Sequence, residues 1–224
     1  MRAGVAAWAR RGGGRWAGAL LLVLLAAPAA RADDFDDALL ALQRDWEVVR
    51  YQTPALERPR RYEVLAGRAH ALCEAHPARS EPLVWEGAIL GAWADDRSGL
   101  AALRLQARAK ARYEAALRID ARGVDGFALQ ELGRLYASAP GWPIGFGDAQ
   151  RARELLREAL QLDPDGIDSN AAYGEFLAGH GQPQEAGTYL RKAIAQPPRP
   201  GHLVGDTGRR EEARALLARL QGAR

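Results

Sequence analysis

His70, Cys73 and His76 are the residues of this chain whose types and spacing come closest to a metal site. A thiolate and two imidazoles form a zinc-type donor set, and on a helix Cys73 would lie about one turn from each histidine. The two histidines are six apart, however, which sets them roughly 120° from each other around the axis. His76 also directly precedes Pro77, which stops a helix. No metal is expected here. Asp33-Asp34 with Asp36-Asp37 suits capping and solubility at a helix start better than calcium. No H-E-x-x-H and no G-x-S-x-G occurs, and glycine-rich Gly141 to Gly147 lacks the lysine and hydroxyl of a phosphate-cradling loop. No catalytic, metal or cofactor-binding residue is assigned, so neither an enzyme nor a cofactor is expected.

The aromatic residues divide in two. Trp46, Trp85 and Trp93 lie on apolar helical faces and read as core. Trp142 and Phe146 sit instead in a Gly/Pro-rich loop, residues 138–148. They either staple that loop onto the fold or line a ligand groove, since aromatic side chains on a rigid loop are common anchors. Cys73 is the single cysteine, so no internal disulfide forms and stability must come from packing. Among Ala69, Leu72 and Ala75 it reads as a small buried hydrophobe rather than a reactive thiol or an intermolecular bridge.

Targeting residues come before the elements that position these groups. Arg2, Arg10, Arg11 and Arg15 precede an apolar run of 12 residues, Trp16 to Ala27, and Pro28 leads into Ala30-Arg31-Ala32. Residues 1–32 read as a secretory signal peptide cut after Ala32, and the run is short for a membrane span. No cysteine follows the run, which argues against a lipid anchor. The expected location is periplasmic or secreted, with no membrane span after cleavage. Without the five arginines ahead of Asp33, the 31 basic residues become 26 against 28 acidic ones, a net of −2. The high isoelectric point belongs to the targeting segment and gives no support for nucleic-acid binding.

Residues 33–224 read as one helical domain. Ala, Leu, Arg and Glu dominate, and no run of alternating β-branched residues appears. Helices are predicted near 34–50, 60–76, 81–94, 100–119, 125–138, 148–162, 167–179, 183–196 and 208–221. Proline and glycine mark the breaks. In Asp163-Pro164-Asp165-Gly166, proline stops one helix and Gly166 is expected to permit the reversal into the next.

One spacing organises these helices. From Gly147 the chain steps to Ala152, Leu156, Ala159 and Pro164 at offsets of five, four, three and five. From Gly181 it steps to Ala186, Leu190, Ala193 and Pro198 at the same offsets. An internal period of this kind points to stacked helix pairs, each too small to bury its apolar face alone.

The stretch Ile167 to Pro200 resembles one tetratricopeptide repeat. Tyr173-Gly174 matches the first-helix pair, Gly181 the glycine between helices, and Ala186, Leu190, Ala193 and Pro198 the second helix and its terminator. The preceding unit has Leu132-Gly133, Tyr136, and then Gly147 to Pro164, with a longer loop. Ala109, Tyr113, Ala116 and Ala121 keep the spacing in an earlier unit. Leu83 and Gly87 supply its first helix, and an extended connection runs from Trp93 to Gly99. Leu65, Ala69, Leu72 and Pro77 keep it earlier still, and Gly208, Ala213, Leu217 and Leu220 resemble a final second helix whose partner is shortened into Arg199 to Asp206. The resemblance is clearest over 126–166 and 167–200. It implies an all-α solenoid of about four to five helix pairs that acts as a scaffold for a protein or peptide of the cell envelope.

The concave face of such a solenoid is lined by first helices. The residues expected there are Phe127, Gln130 and Arg134 from one unit and Asp168, Ala171 and Glu175 from the next. An apolar anchor, an amide and both charges suit a peptide partner better than a nucleic acid. The lengthened loops are also similar to those of the accessory T-component proteins of TRAP transporters. That similarity implies an alternative, a periplasmic ligand-binding accessory protein using Trp142 and Phe146.

Overall fold

The computed structural model describes residues 27–222. Most of the signal peptide, residues 1–26, lies outside them. The elements are α1 (Ala27–Tyr51), α2 (Arg58–Ala75), α3 (Glu81–Asp95), α4 (Gly99–Ile119), α5 (Phe127–Ser138), α6 (Ala149–Leu162), α7 (Ile167–Gly179), α8 (Pro183–Ala195) and α9 (Leu203–Gly222). Among the described residues there is no strand, so the chain is all-α. No described helix is long and apolar enough to cross a membrane. The chain divides into two compact units, residues 1–37 and 38–224. Of the first unit the described residues are 27–37, all in α1, and the expected cleavage point after Ala32 lies in that helix. The second unit contains the rest of α1 and all of α2 to α9.

Local chemistry explains the breaks. His76 ends α2 ahead of Pro77, and Asp148 starts α6 by accepting the backbone N–H groups of Gln150 and Arg151 at 2.9 and 3.0 Å. At the α6–α7 turn, Ser169 donates to the Asp163 carbonyl at 2.6 Å and Asn170 donates to that of Pro164 at 3.0 Å. Gly166 serves this turn differently from expectation. Its φ of −63° suits any residue, and what favours glycine is space, since a Cβ would run into the Asp163 carboxylate and stand 2.8 Å from the Ser169 hydroxyl.

The repeated small residues are the closest approaches between paired helices. A Cβ on Gly87 would stand 2.7 Å from the Tyr113 ring, one on Gly133 2.8 Å from Leu156, and one on Gly174 2.9 Å from Leu190. Tyr113, Leu156 and Leu190 hold the same position of the sequence spacing, so three helix pairs share one seam. Around the seams lies a core with Leu42, Tyr62, Ile89, Leu129 and Leu155, continued by Tyr173, Phe176 and Leu177 and then by Ala171, Leu190, Ala193 and Ala213.

Two expectations are corrected. Trp93 belongs to α3, where its neighbours Ala92 and Ala94 are buried, and the connection to α4 is only Asp96 to Ser98. The C-terminal helix starts at Leu203 rather than 208, and Arg199 to Asp206 forms no separate partner helix. The reason is packing. α9 lies against both α7 and α8, as α7 lies against α5 and α6, so it occupies a first-helix position rather than a second-helix one.

Candidate functional site

First helices meet along the inner face, where α3, α5, α7 and α9 are consecutive neighbours. The C-terminal part of α1 reaches the same face and touches α9. A Cβ on Gly205 would stand 2.8 Å from the Glu47 carboxyl carbon, and one on Gly208 would run into the Tyr51 ring. Two glycines three apart thus let helices from opposite ends of the second unit approach closely. Glu47 fixes the approach by accepting the Gly205 N–H at 3.0 Å and pairing with His202 at 2.8 Å.

Inside this closure runs a ladder of alternating charge. Arg50 pairs with Asp95 at 3.5 Å and with Glu212 at 3.4 Å. Arg209 holds Glu212 at 2.9 Å and grips both oxygens of Glu175 at 2.7 and 3.1 Å. Glu175 also meets Arg134 at 3.4 Å, and Arg134 pairs back to Glu131 at 3.2 Å. Asp168 receives Arg199 at 2.7 Å and Arg209 at 3.8 Å. Burial pushes the Glu175 carboxyl upward, but Arg209 and Arg134 outweigh it and hold the group below the usual glutamate range. Burial likewise raises Glu131, and Arg134 leads the arginines that bring it below that range. At Asp95 burial prevails over Arg134 and Arg50, and its carboxyl stays above the ordinary value.

The signs of these shifts make a test. Lowered glutamates contribute stability above the range where free glutamate titrates and lose it as pH falls through their folded values. With Glu131→Gln the urea midpoint should fall less between about pH 5 and pH 3 than in the unaltered chain. Equal slopes in the two proteins would refute the assignment to Glu131.

Two cavities open on the inner face. The first, about 270 Å3, is lined by Arg50, Asp95, Glu131, Arg134 and Glu175, together with Tyr113, whose buried hydroxyl has no partner among the described residues. The second, about 220 Å3, is lined by Trp46, Trp85, Phe127 and Gln130 together with Glu47, Asp163, Asp168, Arg199 and Asp206. Five of the six residues expected on the concave face are therefore brought to the inner face. Phe127, Gln130 and Asp168 line the second cavity, and Arg134 and Glu175 the first. Phe127 stacks on Trp85 at 5.3 Å, Gln130 is buried, and the other three carry ion pairs within the chain. Ala171 is buried in the core instead. Sequence reasoning missed Glu47, Arg50, Arg209 and Glu212; the Gly205 and Gly208 pair was the available signal.

Trp142 and Phe146 part company. Phe146 packs edge-on to Tyr136 at 5.5 Å with the Lys110 ammonium 5.7 Å from its ring, and so pins the loop to α5. Trp142 is 90% exposed and lines neither cavity. The loop's glycines permit its fold, since a Cβ on Gly147 would strike the Ala139 carbonyl.

The histidine–cysteine group is drawn to Glu86, a buried carboxylate on α3. Arg112 pairs with it at 2.9 Å, His70 lies 3.6 Å away, and the Cys73 thiol donates to it at 3.5 Å. Burial, reinforced by that carboxylate, pushes the Cys73 thiol up to about 12, far from the thiolate a metal needs. No group of three or more His, Cys, Asp or Glu among the described residues is placed to hold a metal ion.

No curated protein matches the chain. Residues 144–202, which contain both sets of identical spacing and helices α6 to α8, match the tetratricopeptide repeat family, whose stacked helix pairs present surfaces to protein partners.

Proposed function

We propose that the chain is an exported, non-catalytic repeat scaffold that engages a protein or peptide segment in the cell envelope. The observation that supports this most directly is the inner face, where Phe127, Gln130 and Asp168 border a cavity the size of a side chain. Arg134 and Glu175 contribute as part of the frame, because they pair with each other, Arg134 also with Glu131 and Glu175 also with Arg209. Export rests on the arginine-led apolar run and the A-x-A site.

A photo-crosslinking side chain at exposed Asp125, which lines the second cavity, should capture a defined envelope protein. One at exposed Leu100 on α4 should not. The exported chain should begin at Asp33 on N-terminal sequencing. An identical captured set from both positions would remove the inner face as the contact, and a start at Met1 would remove export by a cleaved signal.

The second reading is a periplasmic ligand-binding accessory protein using the 138–148 loop. The first cavity favours it, since Ser138 at the start of that loop lines the wall. Native mass spectrometry of the purified chain decides, with a co-purifying small molecule supporting this reading over the scaffold.

A further inference from the structure

We propose that the chain docks on the surface of an anionic phospholipid bilayer through the tip of the 138–148 loop and the outer face of α4. This goes beyond the scaffold reading and leaves the inner face to a partner. Trp142 is 90% exposed and Ile144 71%, with exposed Pro140, Gly141 and Pro143 around them. From Leu135 to Gly147 the sequence contains no charged residue. Two large apolar side chains held out in water by such a segment mark a contact surface.

The backbone of the loop is prepared to leave water. Pro140 and Pro143 carry no N–H. The N–H groups of Ile144 and Gly145 both donate to the Gly141 carbonyl at 3.1 Å, and that of Gly147 donates to Pro140 at 2.9 Å. An apolar layer admits backbone groups that are satisfied internally in this way. Phe146 against Tyr136 anchors the base, so Trp142 and Ile144 project from a fixed support. Tryptophan suits the boundary of a bilayer, its ring among acyl chains and its N–H toward the headgroups.

Charge beside the tip selects a bilayer over an apolar groove in a protein. Helix α4 carries five basic residues, Arg104, Arg108, Lys110, Arg112 and Arg118, against one acidic residue, Glu114, although residues 33–224 sum to −2. Lys110 pairs with Glu114 at 2.6 Å and Arg112 with Glu86 at 2.9 Å. Arg104, Arg108 and Arg118 are exposed and have no ion pair among the described residues. On a helix Leu100, Arg104, Ala107, Ala111 and Arg118 fall within roughly 60° of one another, with Arg108 at the border and no carboxylate in the stripe. Lys110 lies 5.6 Å from the Tyr136 ring and 5.7 Å from that of Phe146, so the loop lies along this helix. An apolar tip beside unpaired guanidinium groups matches the two layers of an anionic bilayer, acyl chains and phosphates.

The test is flotation of the purified full chain with vesicles of equimolar phosphatidylcholine and phosphatidylglycerol, or of phosphatidylcholine alone, followed by hydrogen exchange on the floated protein. Exchange reads the loop itself, whatever the apolar run Trp16 to Ala27 contributes to flotation. The mixed vesicles should slow the amides of Gly141 and Trp142, which donate to no backbone acceptor among the described residues, and leave that of exposed Gly181 unchanged. Trp142→Ser with Ile144→Ser should weaken partitioning at least about tenfold. Arg104→Glu with Arg108→Glu should weaken it about tenfold on the mixed vesicles alone, and added salt should do the same to the unaltered chain. All four side chains are exposed, so melting points should stay the same. Absence of flotation, or unchanged exchange at Gly141 and Trp142 in floated protein, overturns the proposal, and this result needs no variant to fold. Equal slowing by neutral vesicles overturns the anionic surface. A photo-crosslinking side chain at Ile144 that captures a protein and no lipid assigns the tip to a protein groove and overturns the bilayer.

Discussion

Arg209→Leu should cost about 3–5 kcal/mol, the range for removing one partner of a buried ion pair. The Arg209 side chain is 4% exposed and contacts Glu175, Glu212 and Asp168. Leucine leaves these three carboxylates beside one another without the guanidinium that stabilised them. Glu175 is the most affected, because Arg209 is the charge that chiefly offsets its burial. Its carboxyl then rises and takes a proton, or α9 lifts away to let water in. Urea unfolding reads the loss, and hydrogen exchange should locate it in α9 and in the end of α1 near Glu47, which His202 and Gly205 hold. The double variant Arg209→Leu with Glu175→Leu should lose less than the single one, because a buried pair replaced by apolar side chains leaves fewer stranded charges. A single-variant cost under about 1 kcal/mol would show that water already screens the ladder.

Helix order, the ends of α2 to α8 to within about two residues, and the seams were legible in the sequence because each follows from neighbours in the chain. Gly87, Gly133 and Gly174 stand where paired helices approach most closely, and the residue that fills each seam, Tyr113, Leu156 or Leu190, stands four after a recurring alanine, Ala109, Ala152 or Ala186. The closure between α1 and α9 was not legible. Glu47 and His202 are 155 residues apart, and a periodic pattern reports only contacts between adjacent units. This is also why Leu203 to Asp206 was misplaced. Its polar and glycine residues look like a loop until Glu47 and Tyr51 are set against them. The candidate site divides in the same way. Phe127, Gln130, Arg134, Asp168 and Glu175 were placed on the inner face by register alone, but their partners Trp85 and Arg209 come from other helices and Arg199 from the connection between α8 and α9. Trp46 and Trp85 read as core residues; in the fold they are both core and cavity wall, a double role that helical periodicity cannot express.

Gly174→Leu should destabilise the chain by about 2–4 kcal/mol through overpacking of the α7–α8 seam. Even one added carbon would stand 2.9 Å from the Leu190 Cγ and 3.3 Å from the Ala186 carbonyl oxygen, and the backbone on that side cannot yield as a flexible side chain would. Ala186→Arg should cost as much for another reason, since Ala186 is fully buried in a cluster with Leu156, Tyr173 and Leu177 and a guanidinium there would lose its water. Gly179→Ala is the control. It lies at the end of the same helix with nothing within 4 Å of its Cβ position, so it should be neutral or slightly stabilising by restricting the unfolded chain. Because repeat packing is local, lost hydrogen-exchange protection in Gly174→Leu should concentrate beyond residue 148, in α6 to α9. The seam at Gly87 should keep its protection, since Tyr113 fills it within α3 and α4. Equal loss across α2 to α4 would mean that the second unit unfolds as one cooperative block, with the α1–α9 closure overriding the nearest-neighbour coupling of stacked pairs.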